Sequence, residues 1–283
     1  MCLVLIGWRA HPDYRLIVAA NRDEFYVRPA EPMRWWPEVS GLLAGRDVGA
    51  PGYAPGVRPG TWLGVAESPA RFAAVTNVRN PRDERRDARS RGALLMDFLD
   101  SAEHPGPRRY LDAVAAAPDD YNGYNLVLSD LETLWWHSNR SQRPPRALEP
   151  GFHGLSNGPF VTSAAPAPDA ELSAPRRIWP KVRGGLTELR KVVESDPDAL
   201  DRYFDVLSDR TEAPDDQLPG TGVPLEMERS LSARFIAHRI HGTRASTVLL
   251  VREDGSFTVA ERSFGELGES LGAVSFHGTL ALP

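Results

Sequence analysis

Cysteine is almost missing from this chain: one residue, Cys2, in 283. A lone cysteine excludes an internal disulfide and any paired-cysteine metal or haem-attachment motif, and it makes the cytoplasm the expected compartment. Lysine is nearly as scarce, at Lys181 and Lys191 only. That scarcity reads as coding bias with no bearing on mechanism. No apolar run reaches membrane-spanning length. Leu3 to Trp8 has no basic segment before it and meets Arg9 at once, so neither a signal peptide nor membrane insertion is expected. Positive charge is not in excess either. A formal net charge of −5 offers no general attraction to nucleic acid or anionic membranes. Low-complexity linkers and internal repeats are absent, so residues 1–283 read as a single domain.

What is present is ordinary globular composition, 41% hydrophobic and 25% charged, enough for a packed core. "CLVLIGW" and "RLIVAA", on either side of "RAHPDY", read as a hairpin followed by the polar "NRDE". "TWLGVA" and "RFAAVTN" form a second pair around the Ser68-Pro69 turn. The charged stretch Arg79 to Arg91 reads as an exposed loop. "SRGALLMDFLDS", with Ser90 as N-cap, and "PRRYLDAVAAA", with Pro107 in its first turn, read as helices. "YNLVLS", "TLWWHS" and "FHGLSN" return to strand. The stretch Pro159 to Pro175 reads as a surface loop. A helical block follows over 175–208, interrupted at Gly184-Gly185 and Pro197. "STVLLVRE" and "SFTVAERSF" flank an Asp254-Gly255 turn, and "GAVSFHGTL" is a last strand. Strands and helices come in groups, which predicts an α+β fold with mainly antiparallel sheets and segregated helices.

The position of Cys2 carries the chemistry. With Met1 removed, one residue holds a thiol and a free α-amine, with reference pKa values of about 8.5 and about 7.7–8.0. A neutral amine can take the thiol proton, so nucleophile and base belong together. Such a site still needs a group to hold the amine and donors for an oxyanion. The rival role is a buried strand cysteine behind a retained Met1, and position alone favours it. The seven histidines form no zinc-like cluster, so no metal is expected.

Downstream motifs change that balance. "AANRDEFYVRP", "GTWLGV", "TN" at 76–77, "YNGYNL", "GLSN" and "GTRASTVLLV" together resemble the NRDE family, also called the transport-and-Golgi-organisation family, along essentially the whole chain. The resemblance implies a four-layer αββα sandwich of the N-terminal-nucleophile hydrolase type. More distantly, the pattern is similar to the bile-salt hydrolase and penicillin V acylase group. There an Arg-Asn-x-Asp segment follows the first hairpin, and a strand-end Asn and a Thr-Asn-Ser-Pro motif come later. "NRDE", Asn77 and "SNGP" (156–159) occupy those places. Aligned without gaps, Asn21 stands where that group has arginine and Glu24 where it has aspartate; a one-residue shift uses Arg22 instead.

The resemblance makes Cys2 the nucleophile of an amidohydrolase acting through a thioester on a small amide or acyl substrate. Asp23 or Glu24 would hold the amine or a water, and Asn157 with Asn77 would donate to the oxyanion. Arg22 and Arg244 would meet a substrate carboxylate or support the thiolate, and Trp62 is a further candidate for substrate contact. The competing expectation is a non-catalytic carrier on the same fold. No cofactor is required, and haem or an acylated small molecule is the ligand that reading would take.

Overall fold

A computed structural model of the chain describes residues 2–49, 58–101, 103, 105–158, 160–162 and 179–283. The described residues pack as two compact units, one lying within 1–27, 79–81 and 150–278, the other within 28–78, 82–149 and 279–283. The first unit opens with the hairpin β1 (Cys2–His11) and β2 (Tyr14–Phe25). The second unit follows with β3 (Ala30–Trp35), β4 (Leu42–Asp47), β5 (Leu63–Glu67) and β6 (Ala70–Asn77). Helices α1 (Arg91–Leu99) and α2 (Pro107–Ala115) come next, then β7 (Tyr124–Ser129), β8 (Leu134–Ser138) and β9 (Arg146–Ala147). The chain returns to the first unit with β10 (Gly151–Leu155), β11 (Val161–Thr162), α3 (Pro180–Ser195), α4 (Leu200–Leu207) and α5 (Leu225–Ser230). Strands β12 (His241–Arg252), β13 (Ser256–Phe264) and β14 (Ser270–Thr279) complete it.

Each unit is built on a seven-stranded sheet, ordered β11-β10-β1-β2-β12-β13-β14 in the first and β3-β4-β5-β6-β7-β8-β9 in the second. The described strand pairings are antiparallel, which places the chain in the α+β class. In the first unit Leu3, Leu5, Ile17, Ala19, Val248 and Leu250 share one core with Val182, Leu189 and Val193 of α3 and with Tyr203 and Leu207 of α4. In the second, Leu42, Ala73, Val75, Leu126 and Leu128 pack on Leu94, Leu95 and Phe98 of α1. Each Val, Leu, Ile or Phe side chain among these contributes about 1.5–3 kcal/mol on full burial. The other parity of β1, Val4, Ile6 and Trp8, is buried as well. That is why its sequence is a continuous apolar run without alternation.

The structure departs from the expected elements at three places. "NRDE" does not follow a strand; it lies inside β2, with Asn21, Arg22 and Asp23 buried. Gly184-Gly185 does not interrupt a helix, because α3 runs through it. A Cβ on Gly185 would sit 2.8 Å from Leu5 Cδ1, so the glycine lets α3 close on β1. Strands β3 and β4 were not expected. Pro32 hides β3, and proline is tolerated there because β3 is an edge strand. The expected loop from Pro159 and the start of the helical block lie mostly outside the described residues; Val161 and Thr162 form β11. Ser90 takes the N-cap place of α1 without a side-chain capping bond.

Candidate functional site

One end of the first unit's sheet collects most of the expected site. Cys2 begins β1 and lies opposite Arg22 of β2. On the far side of β2, Asp23 lies opposite Thr243 of β12. On the far side of β1, Val4 lies opposite Leu155 of β10. The chain then leaves β10 through Ser156 and Asn157. The Ser156 hydroxyl donates to the Cys2 carbonyl at 3.0 Å, and the Asn157 carbonyl accepts the Arg79 N–H at 2.8 Å. Cys2, Arg22, Asp23 and Asn157 therefore occupy a common rim.

Alternation along β2 gives its polar residues different surroundings. Asp23 has no exposed side-chain surface; it accepts the Thr243 hydroxyl at 2.8 Å and faces Lys181 Nζ at 3.8 Å. Burial raises its pKa, against Lys181 and the Thr243 bond, which lower it. Lys181, in the first turn of α3, is equally enclosed, and burial pushes it down to about 8 against the pull of Asp23. Both groups of this pair are moved toward neutrality, so desolvation outweighs their mutual attraction. Next to them Arg79 pairs with Glu228 at 3.4 Å and lies 4.7 Å from the Trp179 ring centre. Burial takes Arg79 down to about 10.

Cys2 keeps a partly accessible residue surface. Burial around its thiol is nonetheless the largest influence on its pKa and raises it, with Asp23 adding to the rise. The Arg22 charge and a backbone hydrogen bond from Asp23 act the other way.

Other expected residues have framework roles. Asn21 donates to the carbonyls of Leu207 at 2.9 Å and Arg234 at 2.7 Å, and accepts from Ser246 at 2.6 Å. Glu24 is partly exposed, and its carboxylate accepts the N–H of Phe25. Arg244 is the extra residue of a β-bulge between Thr243 and Ala245. It donates to the carbonyls of Phe25 at 3.1 Å and Tyr26 at 3.3 Å, clamping the end of β2. Asn77 and Trp62 belong to the second unit. There Asn77 ends β6 opposite Tyr124, and the Trp62 indole lies over Gly45, where a Cβ would stand 2.2 Å from it.

Sequence reasoning missed Lys181, Thr243, Ser156 and the Arg79–Glu228 pair. Lys181 carried a readable signal: it lies four residues before Gly185 and eight before Leu189, on the stripe that α3 buries. Arg79 opens a charged run that reads as solvated, yet its side chain is 7% exposed. Among the described residues, no group of His, Cys, Asp and Glu is arranged to hold a metal ion, and no helix is long and apolar enough to cross a membrane.

Fold and site together define an α+β protein of antiparallel sheets, with a cysteine at the head of its first strand beside a buried Asp–Lys pair. The family is shown by comparison with known proteins. The Transport and Golgi organisation 2 family model matches residues 1–266, and the chain belongs to that family. A Transport and Golgi organization protein 2 homolog of Bos taurus is 35% identical over 278 residues, covering 93% of each chain. The Homo sapiens homolog is 32% identical over 277 residues, again 93% of each. The Drosophila melanogaster protein is 24% identical over 284 residues, 93% of this chain and 92% of its own.

Proposed function

We propose that this protein is an N-terminal-cysteine amidohydrolase acting on a small amide or acyl compound. The observation that carries the proposal is the common rim of Cys2, Arg22, Asp23 and Asn157. Removal of Met1 frees the α-amine of Cys2. The neutral amine takes the thiol proton as sulfur attacks the acyl carbon, and Asn157 donates to the oxyanion. Collapse expels the leaving amine with that proton and leaves a thioester, which water hydrolyses. Asp23 holds the amine when it is protonated, and Arg22 favours the thiolate. The αββα sandwich belongs to the same proposal, and a helical layer on each of the two sheets supports it. With one cysteine and no disulfide to maintain, a cytoplasmic place of action fits.

A second reading has one observation in its favour. Burial raises the Cys2 pKa, as expected of an inert thiol in a haem or acyl-lipid carrier. The relatives' names speak of transport and Golgi organisation, which suits a carrier as well as a hydrolase. Thiol chemistry separates the two. Met1-free protein, verified by intact mass, should react with iodoacetamide near neutral pH much faster than a free thiol. Protein retaining Met1 should react slowly, and Cys2→Ala should not react at all while staying folded. Slow labelling of the Met1-free form would favour the carrier.

A further inference from the structure

Lys181 is costly where it stands. It has no exposed side-chain surface, and Nζ makes no hydrogen bond among the described residues. It also lies in the first turn of a 16-residue helix, where the backbone dipole disfavours a cation. An apolar residue would serve packing better, since its neighbours on the helix face are Val182, Gly185 and Leu189. What it faces is the site. Asp23 Oδ2 of β2 is 3.8 Å away, and the Trp179 ring centre is 6.0 Å away. The other charged or titratable groups felt there are Cys2 of β1, Arg79, whose charge is balanced by Glu228 of α5, and His241 of β12.

We infer that Lys181 is the positioning residue of this site: its ammonium holds the Asp23 carboxylate and offsets its charge, so that the amine of Met1-free Cys2 stays a neutral base. The inference rests on the nucleophile reading of Cys2. An uncompensated carboxylate beside Cys2 favours the protonated forms of amine and thiol, which cannot act as base or nucleophile. A cation at 3.8 Å, too far for a hydrogen bond, cancels that field and leaves the carboxylate able to accept from the amine.

The test is the pH profile of iodoacetamide alkylation at Cys2 in Met1-free protein, measured for wild type, Lys181→Met and Lys181→Arg. Lys181→Met should move the midpoint up by about one pH unit and slow the reaction about tenfold at neutral pH. Lys181→Arg keeps its charge throughout, so it should react faster than wild type above about pH 8, where Lys181 gives up its proton. A methionine profile that overlays the wild type overturns the inference. So does an arginine variant no faster than wild type above that pH. Should circular dichroism show the methionine variant unfolded, the arginine comparison decides alone. Wild-type, Met1-free Cys2 that reacts no faster than glutathione refutes the nucleophile reading instead, and this inference with it.

Discussion

The Ser156 hydroxyl donates to the Cys2 carbonyl at 3.0 Å, joining positions 154 residues apart in sequence. It ties β1 to the chain just beyond the end of β10, where Asn157 turns away. Ser156→Ala should therefore destabilise the protein by about 1 kcal/mol, the usual net value of one such bond. Urea unfolding would show it as a lower midpoint with an unchanged slope.

Asn21 is expected to matter for stability and not for thiol chemistry. Its amide serves the buried Leu207 carbonyl and Ser246 hydroxyl and the part-buried Arg234 carbonyl. Asn21→Ala leaves those partners unsatisfied and should cost about 2–4 kcal/mol. Alkylation of Cys2 in the folded variant should stay within about twofold of wild type. A far larger loss of reactivity would return Asn21 to the catalytic set.

Burial lowers the Lys181 pKa to about 8 from 10.5, so between those values the unfolded chain binds more protons than the native one. Stability attributable to this group therefore rises with pH across that window, by at most about 1.4 kcal/mol per unit. Lys181→Met lacks the term. The difference in stability between the two proteins should shift steadily in favour of wild type from pH 8 to pH 10, as read from urea midpoints. Parallel curves would show that Lys181 keeps an ordinary pKa.

His137 and His241 are buried, and burial takes each down to about 4 from 6.5. Their rings pack edge-on against Tyr124 at 5.8 Å and Phe25 at 5.4 Å. The unfolded chain takes up these protons first as pH falls. Stability is thus lost from about pH 6.5 down through about pH 4, with a slope of up to about 1.4 kcal/mol per unit for each group. Replacing His137 by Leu should flatten its share of that acid loss. A urea-midpoint series from pH 7 to pH 4 would measure it.

Much of this protein was legible from residue order. The apolar runs of β1, β12 and the first half of β2, the turns at Ser68-Pro69 and Asp254-Gly255, and the first-turn Pro107 all report local physics, and local physics survives in sequence. The family pattern, "NRDE" with "GTWLG" and "YNGYNL", likewise needs only residue order. So does the prominence of a cysteine at position 2. Tertiary packing decided the remainder. "NRDE" looks like a polar exit from a strand because burying three polar residues in succession is costly. It stays in β2 because partners arrive from elsewhere: Ser246 and the Leu207 and Arg234 carbonyls for Asn21, Thr243 and Lys181 for Asp23. Arg79 passed for a solvated loop residue because Glu228 and Trp179 lie far along the chain. Hydrophobic periodicity determines which segments become strands and helices, since burial of apolar surface depends on spacing alone. Whether a buried charge is tolerated depends on which opposite charge or hydroxyl the fold brings within a few ångströms, and only the folded chain settles that.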